Sequence, residues 1–369
     1  MKKSNMLAIL ILLLFLTSSI FGFVPIRASA ASGGVVAVDY YHQQVGNQTI
    51  YRSYGIPPSF SDQKADLANT WGNLTKAGFT VNLQLLNKTT PISSTDLQGV
   101  TVLFLGQLSS LSMNFSSSEV QAITSWFQTG NKLLMVSGQS NFGCNCSWTE
   151  SVTNGLMKAI GSQLRLDYGE VTDQPGVGAS GAGFRVYASS ANNGINTQSW
   201  ASTLTTGTTK VRFHGTTNVI GFSGGKYVPF SSLTGDTVTW LYRTSPQGVL
   251  AGQGGIQPLV TPTDTAGQWV LAAAEKIPEG GVYSKVVLAG AGFIGSYTIS
   301  ASGEFGFPVV FDGLQFVVNS ATWGATSESV PGNSWTLYIV AAAVVVIVVV
   351  AAALYMMRRK PKMAAPPAS

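Results

Sequence analysis

The chain has little charge. Only 10% of its 369 residues are Asp, Glu, Lys or Arg, against roughly a quarter in an average soluble domain. With 45% apolar residues, a disordered polyelectrolyte is excluded, since that state needs high charge and low hydrophobicity. Histidine and cysteine are equally scarce, at two each, which excludes a disulfide-dense scaffold and a zinc ribbon. A basic face is missing too, despite the formal +5. Lys2, Lys3 and Arg27 lie near the start, and Arg358, Arg359, Lys360 and Lys362 near the end. Residues 31–334 hold 14 Lys/Arg against 16 Asp/Glu, a net −2. No phosphate-binding excess remains, so nucleic acid is excluded as a partner.

Long apolar runs are what the chain does have. Lys2 and Lys3, the apolar run 6–20 and the small-residue site Ala28-Ser29-Ala30 read as a secretory signal over 1–30. The run 337–357 carries no charge, is flanked by Trp335, Tyr338 and Tyr355, and is followed by Arg358, Arg359 and Lys360. A helix of that length spans about 30 Å, the thickness of a hydrocarbon core. The basic cluster orients it with the tail inside. The expected layout is a signal peptide at 1–30, an extracellular domain at 33–323 and a polar stalk at 324–334. A transmembrane helix at 335–357 and a cytoplasmic tail at 358–369 complete it. The expected location is therefore the cell membrane, single-pass, with the domain outside and a protein partner at the cell surface. Sequons at Asn47, Asn73, Asn87, Asn114 and Asn145 suit a glycoprotein with that topology.

The first half of the domain alternates strand and helix. Residues 34–39 (GVVAVD), 79–86, 100–105 (VTVLFL) and 132–136 (KLLMV) read as strands. Between them, 59–76 reads as a helix stopped by Gly78, and Ser116 with Glu119 forms a capping box opening a helix stopped by Gly130. This spacing predicts an α/β fold, a three-layer parallel sheet with right-handed crossovers. Residues 169–209 are rich in Gly, Ser, Thr and Asn, and short strand-like pieces follow at 210–213, 219–222, 237–242 and 248–251. The stretch of about 169–265 reads as a β-rich insertion. The α/β texture returns with an apolar run at 269–275, a strand at 283–289 and a helix at 309–323, with Phe311, Leu314 and Val318 on one face.

Four features carry a family resemblance. They are Asp39-Tyr40-Tyr41-His42 after the first strand, the unit spanning 100–136, the segment 214–230 with His214 and a Gly-rich turn, and the strand 286–292 followed by a helix ending in Asn319 and Trp323. In these the chain resembles the class I glutamine amidotransferase-like superfamily, most of all its exported branch found with ABC-type transport and gliding-motility accessory proteins. The resemblance covers most of 33–323 and implies a flavodoxin/amidotransferase-like fold and an ABC-type transporter as partner. Enzymatic members place Cys in a G-x-C-x-G elbow, whereas the matching stretch here is Ser137-Gly138-Gln139-Ser140-Asn141. No glutaminase nucleophile is therefore expected.

In open parallel sheets, ligands bind beyond the carboxyl ends of the strands. There the sequence delivers Asp39, His42, Gln107, Ser137, Gln139 and Ser140 as ligand-contact candidates. Ser140, His42 and Asp39 could also assemble a hydrolytic triad, which is recognised by geometry and not by chain order. Cys144 and Cys146 are two residues apart. Outside a cell they form a strained disulfide, bridge two chains, stay free or take a soft metal. Two thiolates are too few for structural zinc, so neither a metal nor a cofactor is expected. Gly290-Ala291-Gly292-Phe293-Ile294-Gly295 matches G-x-G-x-x-G, yet Ser296-Tyr297-Thr298-Ile299 favours extended structure where a dinucleotide site needs a helix. It reads as a tight glycine turn. The favoured function is a non-catalytic, membrane-anchored extracellular recognition or scaffold domain. The rivals are a tethered surface hydrolase and a structural envelope protein.

Overall fold

Val35–Asp39 is a strand because four consecutive β-branched or small apolar residues can be buried on both faces. In the computed structural model it is β1 of a seven-stranded sheet. The structure describes residues 33–39, 42, 61–82, 90–105, 114–140, 148–252, 255–260, 265–294, 299–300, 303–304, 307–331 and 344–352. The chain divides into two units, Met1–Ser32 and Gly33–Ser369, and every described residue belongs to the second. The predicted signal and tail, Gln107, Cys144, Cys146, Asn47, Asn87 and Asn145 lie outside the described residues.

After β1 come α1 (Ser61–Lys76), β2 (Thr80–Asn82), β3 (Val100–Leu105), α2 (Ser117–Phe127), β4 (Leu133–Ser137) and α3 (Trp148–Ala159). The expected capping box is formed: Ser116 Oγ accepts from Glu119 N, and Glu119 accepts from Ser116 N. Next follow β5 (Leu164–Leu166), β6 (Glu170–Thr172), β7 (Arg185–Ser189), α4 (Ala201–Thr205), β8 (Lys210–His214), β9 (Val219–Ser223) and β10 (Lys226–Val228). The chain continues through β11 (Val238–Arg243), β12 (Gly248–Ala251), β13 (Thr265–Gly267), β14 (Val270–Glu279) and β15 (Val282–Ala289). It closes with β16 (Gly303–Glu304), β17 (Phe307–Val310) and α5 (Gly313–Ala325).

The main sheet runs β11-β14-β15-β4-β3-β1-β2. Five of its strands are parallel, from β2 through β1, β3 and β4 to β15. The expectation of a wholly parallel sheet is corrected, because β14 is antiparallel to both β15 and β11. The cause is local. Gly280 and Gly281 join β14 to β15 with φ of 58° and 91°, the pair of positive φ values that a two-residue hairpin turn requires. A crossover helix has no room there, so the sheet is mixed.

Both faces are covered, as alternate residues of each central strand show. Val36, Val38, Val102, Phe104, Leu133 and Met135 enter one core with Phe316, Val317 and Trp323 of α5. Ala37, Leu103, Leu105, Leu134 and Val136 enter the other with Ile123 and Phe127 of α2 and Met157 of α3. The closing helix begins later than the predicted 309, because Phe307–Val310 is strand. Its buried face is Phe316, Val317, Ser320 and Ala321, while Leu314 and Val318 are half-buried. Within the expected insertion, most strands form two- and three-stranded sheets of their own. β11 departs from this, joining the main sheet at its edge.

At the amino end of the parallel strands, Lys276 and Lys285 stand directly opposite each other on β14 and β15. Like charges so placed repel. Glu328 offsets this by an ion pair with Lys276 Nζ and an approach of 3.9 Å to Lys285 Nζ. Trp200 and Trp323 stack at 5.4 Å and 7°, and each lysine lies 4.8 Å from the centre of one ring, Lys276 over Trp200 and Lys285 over Trp323. Lys285 Nζ also donates to Trp323 O and Thr326 O, both at 2.7 Å, closing the carbonyl end of α5.

Among the described residues no helix is long and apolar enough to cross a membrane. Of the expected span 335–357 the structure describes 344–352, which is helical.

Candidate functional site

The switch point of the parallel order lies between β1 and β3, whose connections leave in opposite directions, and α/β sheets place ligands beyond such a point. Asp39 ends β1 there and is 1% exposed. Its Oδ2 is 2.6 Å from His42 Nδ1, so the structure brings these two predicted residues together. The other ring nitrogen, Nε2, lies 3.3 Å from Glu119 Oε1 in the first turn of α2. Both ring nitrogens therefore face carboxylate oxygens, and Phe115 packs on the ring at 4.6 Å.

Glu119 was read from the sequence only as a capping residue, yet it is the hub of this cluster. Its Oε1 accepts from Ile92 N at 2.8 Å, and its Oε2 accepts from Ser116 N at 2.8 Å and Ser116 Oγ at 2.9 Å. The cluster ties the exit of β1, the 90–92 segment and the start of α2 into one buried polar strut. A capping-box motif signals the helix start and says nothing about a histidine 77 positions earlier in the chain.

Ser137 ends β4 and is 1% exposed; its Oγ has no hydrogen-bond partner among the described residues. Gly138 N donates to Ala289 O at 3.0 Å, and Ser140 N donates to Gly215 O at 2.9 Å. Over the ends of β4 and β15 lies the segment 215–218, where Thr217 N donates to Gly290 O at 3.2 Å. The contact is so close that a Cβ on Gly290 would sit 2.0 Å from Thr217 O. That is the reason for glycine at the first position of the G-x-G-x-x-G match, and among the described residues the next helix, α5, opens only at Gly313. Thr216 and Thr217 are fully buried, and Thr217 Oγ1 donates to Asp167 O at 2.9 Å.

Asp167 is itself fully buried, and burial pushes its carboxyl up. The N–H groups of Leu259 and Tyr168 and the Asn218 side chain oppose that. Glu170, 3% exposed, is pushed up to about 7 by burial. His214 closes β8 and meets Phe184 edge-on at 5.3 Å. Among the described residues no group of three or more His, Cys, Asp or Glu is placed to hold a metal.

A general base must offer a lone pair to a proton on the substrate. His42 Nδ1 is paired with Asp39, and Nε2 lies 3.3 Å from Glu119 Oε1, so the nitrogen that a hydrolytic triad directs at serine stands beside a carboxylate. Of the predicted sequons, Asn114 is exposed ahead of α2 and Asn73 is half-buried on α1.

Comparison of the chain with protein-family models, with curated proteins and with solved structures gives no match.

Proposed function

We propose that the chain is a membrane-anchored extracellular recognition or scaffold domain that binds a partner without catalysis. The observation that carries this reading is that the chain itself covers the carboxyl ends of β4 and β15. The 215–218 segment lies on those ends through main-chain hydrogen bonds and a glycine-only approach, which closes one stretch of the sheet edge at which α/β folds take ligands. The carboxylate oxygens that lie beside both His42 nitrogens support the same conclusion. The parallel run β2-β1-β3-β4-β15 has the strand order of flavodoxin-like sheets. This agrees with a flavodoxin/amidotransferase-like fold, and the resemblance noted in the sequence gives an ABC-type transporter as the class of partner.

The membrane anchor has its own support. Val344 to Val350 are all between 45% and 67% exposed in a helix. An apolar helix that leaves its valines uncovered belongs in lipid or against another apolar surface. The basic residues 358–360 then set its direction.

A second reading, a tethered hydrolase using Ser140, His42 and Asp39, is favoured by the 2.6 Å Asp39–His42 pair. One experiment separates the two. The full-length protein in mild detergent is treated with a fluorophosphonate and mapped by mass spectrometry. No modification at Ser137 or Ser140 is expected; stoichiometric labelling of either, lost in His42→Ala, would overturn the recognition reading.

A further inference from the structure

Beside the covered ends of β4 and β15 lies an open cleft with its own chemistry. It encloses about 440 Å³ between β11, the start of β14 and the turn at 229–233, within the range of small-ligand sites. Its walls are aromatic: Phe230, Trp240 and Trp269, each half-buried, with Pro229 and Ser231 exposed at the rim. Trp269 is held by its Nε1, which donates to Gly248 O at 3.1 Å.

Arg243 is the single charged residue of the lining. Its guanidinium carbon lies 4.2 Å from the Trp240 ring centre, and its Nε donates to Asn193 O at 3.0 Å. These two contacts fix the group in place. Its two Nη groups have no hydrogen bond or ion pair to any described residue, so a half-buried cation stands without a counter-ion. Asn218 and Gln268 supply amides in the same lining. A planar fork with free donors matches a carboxylate, and the aromatic wall matches the C–H face of a sugar ring. A peptide adding itself as a strand is disfavoured, since the free edge of β11 is already taken: Asn196 N donates to Leu241 O and Arg243 N donates to Gly194 O.

We infer that this cleft binds a carboxylate-bearing saccharide, a uronic-acid unit lying against the aromatic wall with its carboxylate on the Arg243 Nη groups. The inference rests on the reading of the chain as an extracellular recognition domain and names the class of ligand for it. The test is titration calorimetry on the full-length protein in detergent, with a trigalacturonate and with the neutral galactose trisaccharide as probes. The acidic trisaccharide binds and the neutral one binds at least tenfold more weakly. Arg243→Gln weakens binding of the acidic probe at least tenfold and barely alters that of the neutral one, while Arg243→Lys falls between wild type and Arg243→Gln. The urea midpoint of Arg243→Gln matches wild type, which shows that the fold is kept. No heat from millimolar trigalacturonate, equal affinity for both probes, or an unaffected Arg243→Gln overturns the inference. Chromatography of the recovered probe distinguishes the two readings. A shortened trigalacturonate overturns the non-catalytic function while Arg243 dependence still supports the cleft. Absent binding with no serine labelling sinks the cleft alone.

Discussion

Lys285 gives the sharpest test of the packing at the amino end of the sheet. Its side chain is 1% exposed, and its pKa is lowered from 10.5 to about 8, chiefly by burial, with Glu328 raising it and Lys276 lowering it. Below pH 8 the group is charged in both the folded and unfolded chain, and its desolvation cost is fully expressed. Between about 8 and 10.5 the folded protein releases the proton while the unfolded chain keeps it. The unfolded state then binds more protons, so stability rises with pH across that window. At about 1.4 kcal/mol per pH unit the gain is about 3 kcal/mol. The neutral amine still donates to Trp323 O and Thr326 O, so the closure of α5 survives the titration. The assay is urea unfolding in detergent from pH 6 to 10.5, read by tryptophan fluorescence, for wild type and Lys285→Met. The stability difference between the two proteins should be flat up to pH 8 and then climb by about 3 kcal/mol in favour of wild type. In Glu328→Gln the climb should begin below pH 8, because the partner that raises the pKa is gone. Parallel stability curves for wild type and Lys285→Met would refute the reasoning.

Glu170 titrates in the opposite sense. Its folded pKa of about 7 stands above the ordinary 4.5, so the folded state holds the extra proton and stability falls as pH rises from 4.5 to 7. Glu170→Gln should remove that slope and exceed wild type by about 3 kcal/mol above pH 7; equal slopes in urea titrations would contradict it. Gly290→Ala forces a Cβ to within 2.0 Å of Thr217 O, where backbone must move. A loss of about 3 kcal/mol or more is expected, with faster amide exchange at residues 215–218; an unchanged melting midpoint would show that the close approach is wrong.

How far the sequence led can be judged from particular elements. The four strand-like pieces after residue 209 are all strands, close to their predicted limits, because short apolar runs between turn residues signal strands locally. The 100–105 strand and the Ser116–Glu119 cap were legible for the same reason. The antiparallel turn of the sheet was missed although Gly280-Gly281 is a hairpin signal in plain view; the α/β texture around it outweighed the dipeptide. In the site, Asp39 and His42 were found because they flank one strand end. Glu119 was missed because its role depends on a contact between residues 42 and 119, which no local pattern encodes. Arg243 was missed for the same reason: its stacking on Trp240 is local, but the lack of a partner for its Nη groups among the described residues is a property of the assembled cleft.

With the proposed anchor, the fold would set which way the Arg243 cleft faces. Residues 328–330 are stitched along the β14–β15 hairpin: Tyr283 N donates to Glu328 O, Val330 N donates to Gly281 O, and Val282 pairs with Ser329. The chain thus leaves the domain from the amino end of the parallel strands. Asp39, Ser137 and Arg243 all end strands that run the other way, toward the opposite edge. A five-residue strand such as β4 spans about 17 Å, so the proposed anchor beyond residue 331 would hold the Arg243 end of the cleft away from the bilayer. The check is energy transfer from single-cysteine labels to a lipid-bound acceptor in vesicles, with Cys144 and Cys146 replaced by Ser. Ser327→Cys and Gln247→Cys are both exposed positions, one beside the exit and one on the turn after β11, at the Arg243 end of the cleft rim. The rim label should lie farther from the lipid by about the length of a strand or more. Equal transfer from the two labels would mean that the domain lies on its side, and that the cleft faces the membrane plane instead of the solvent.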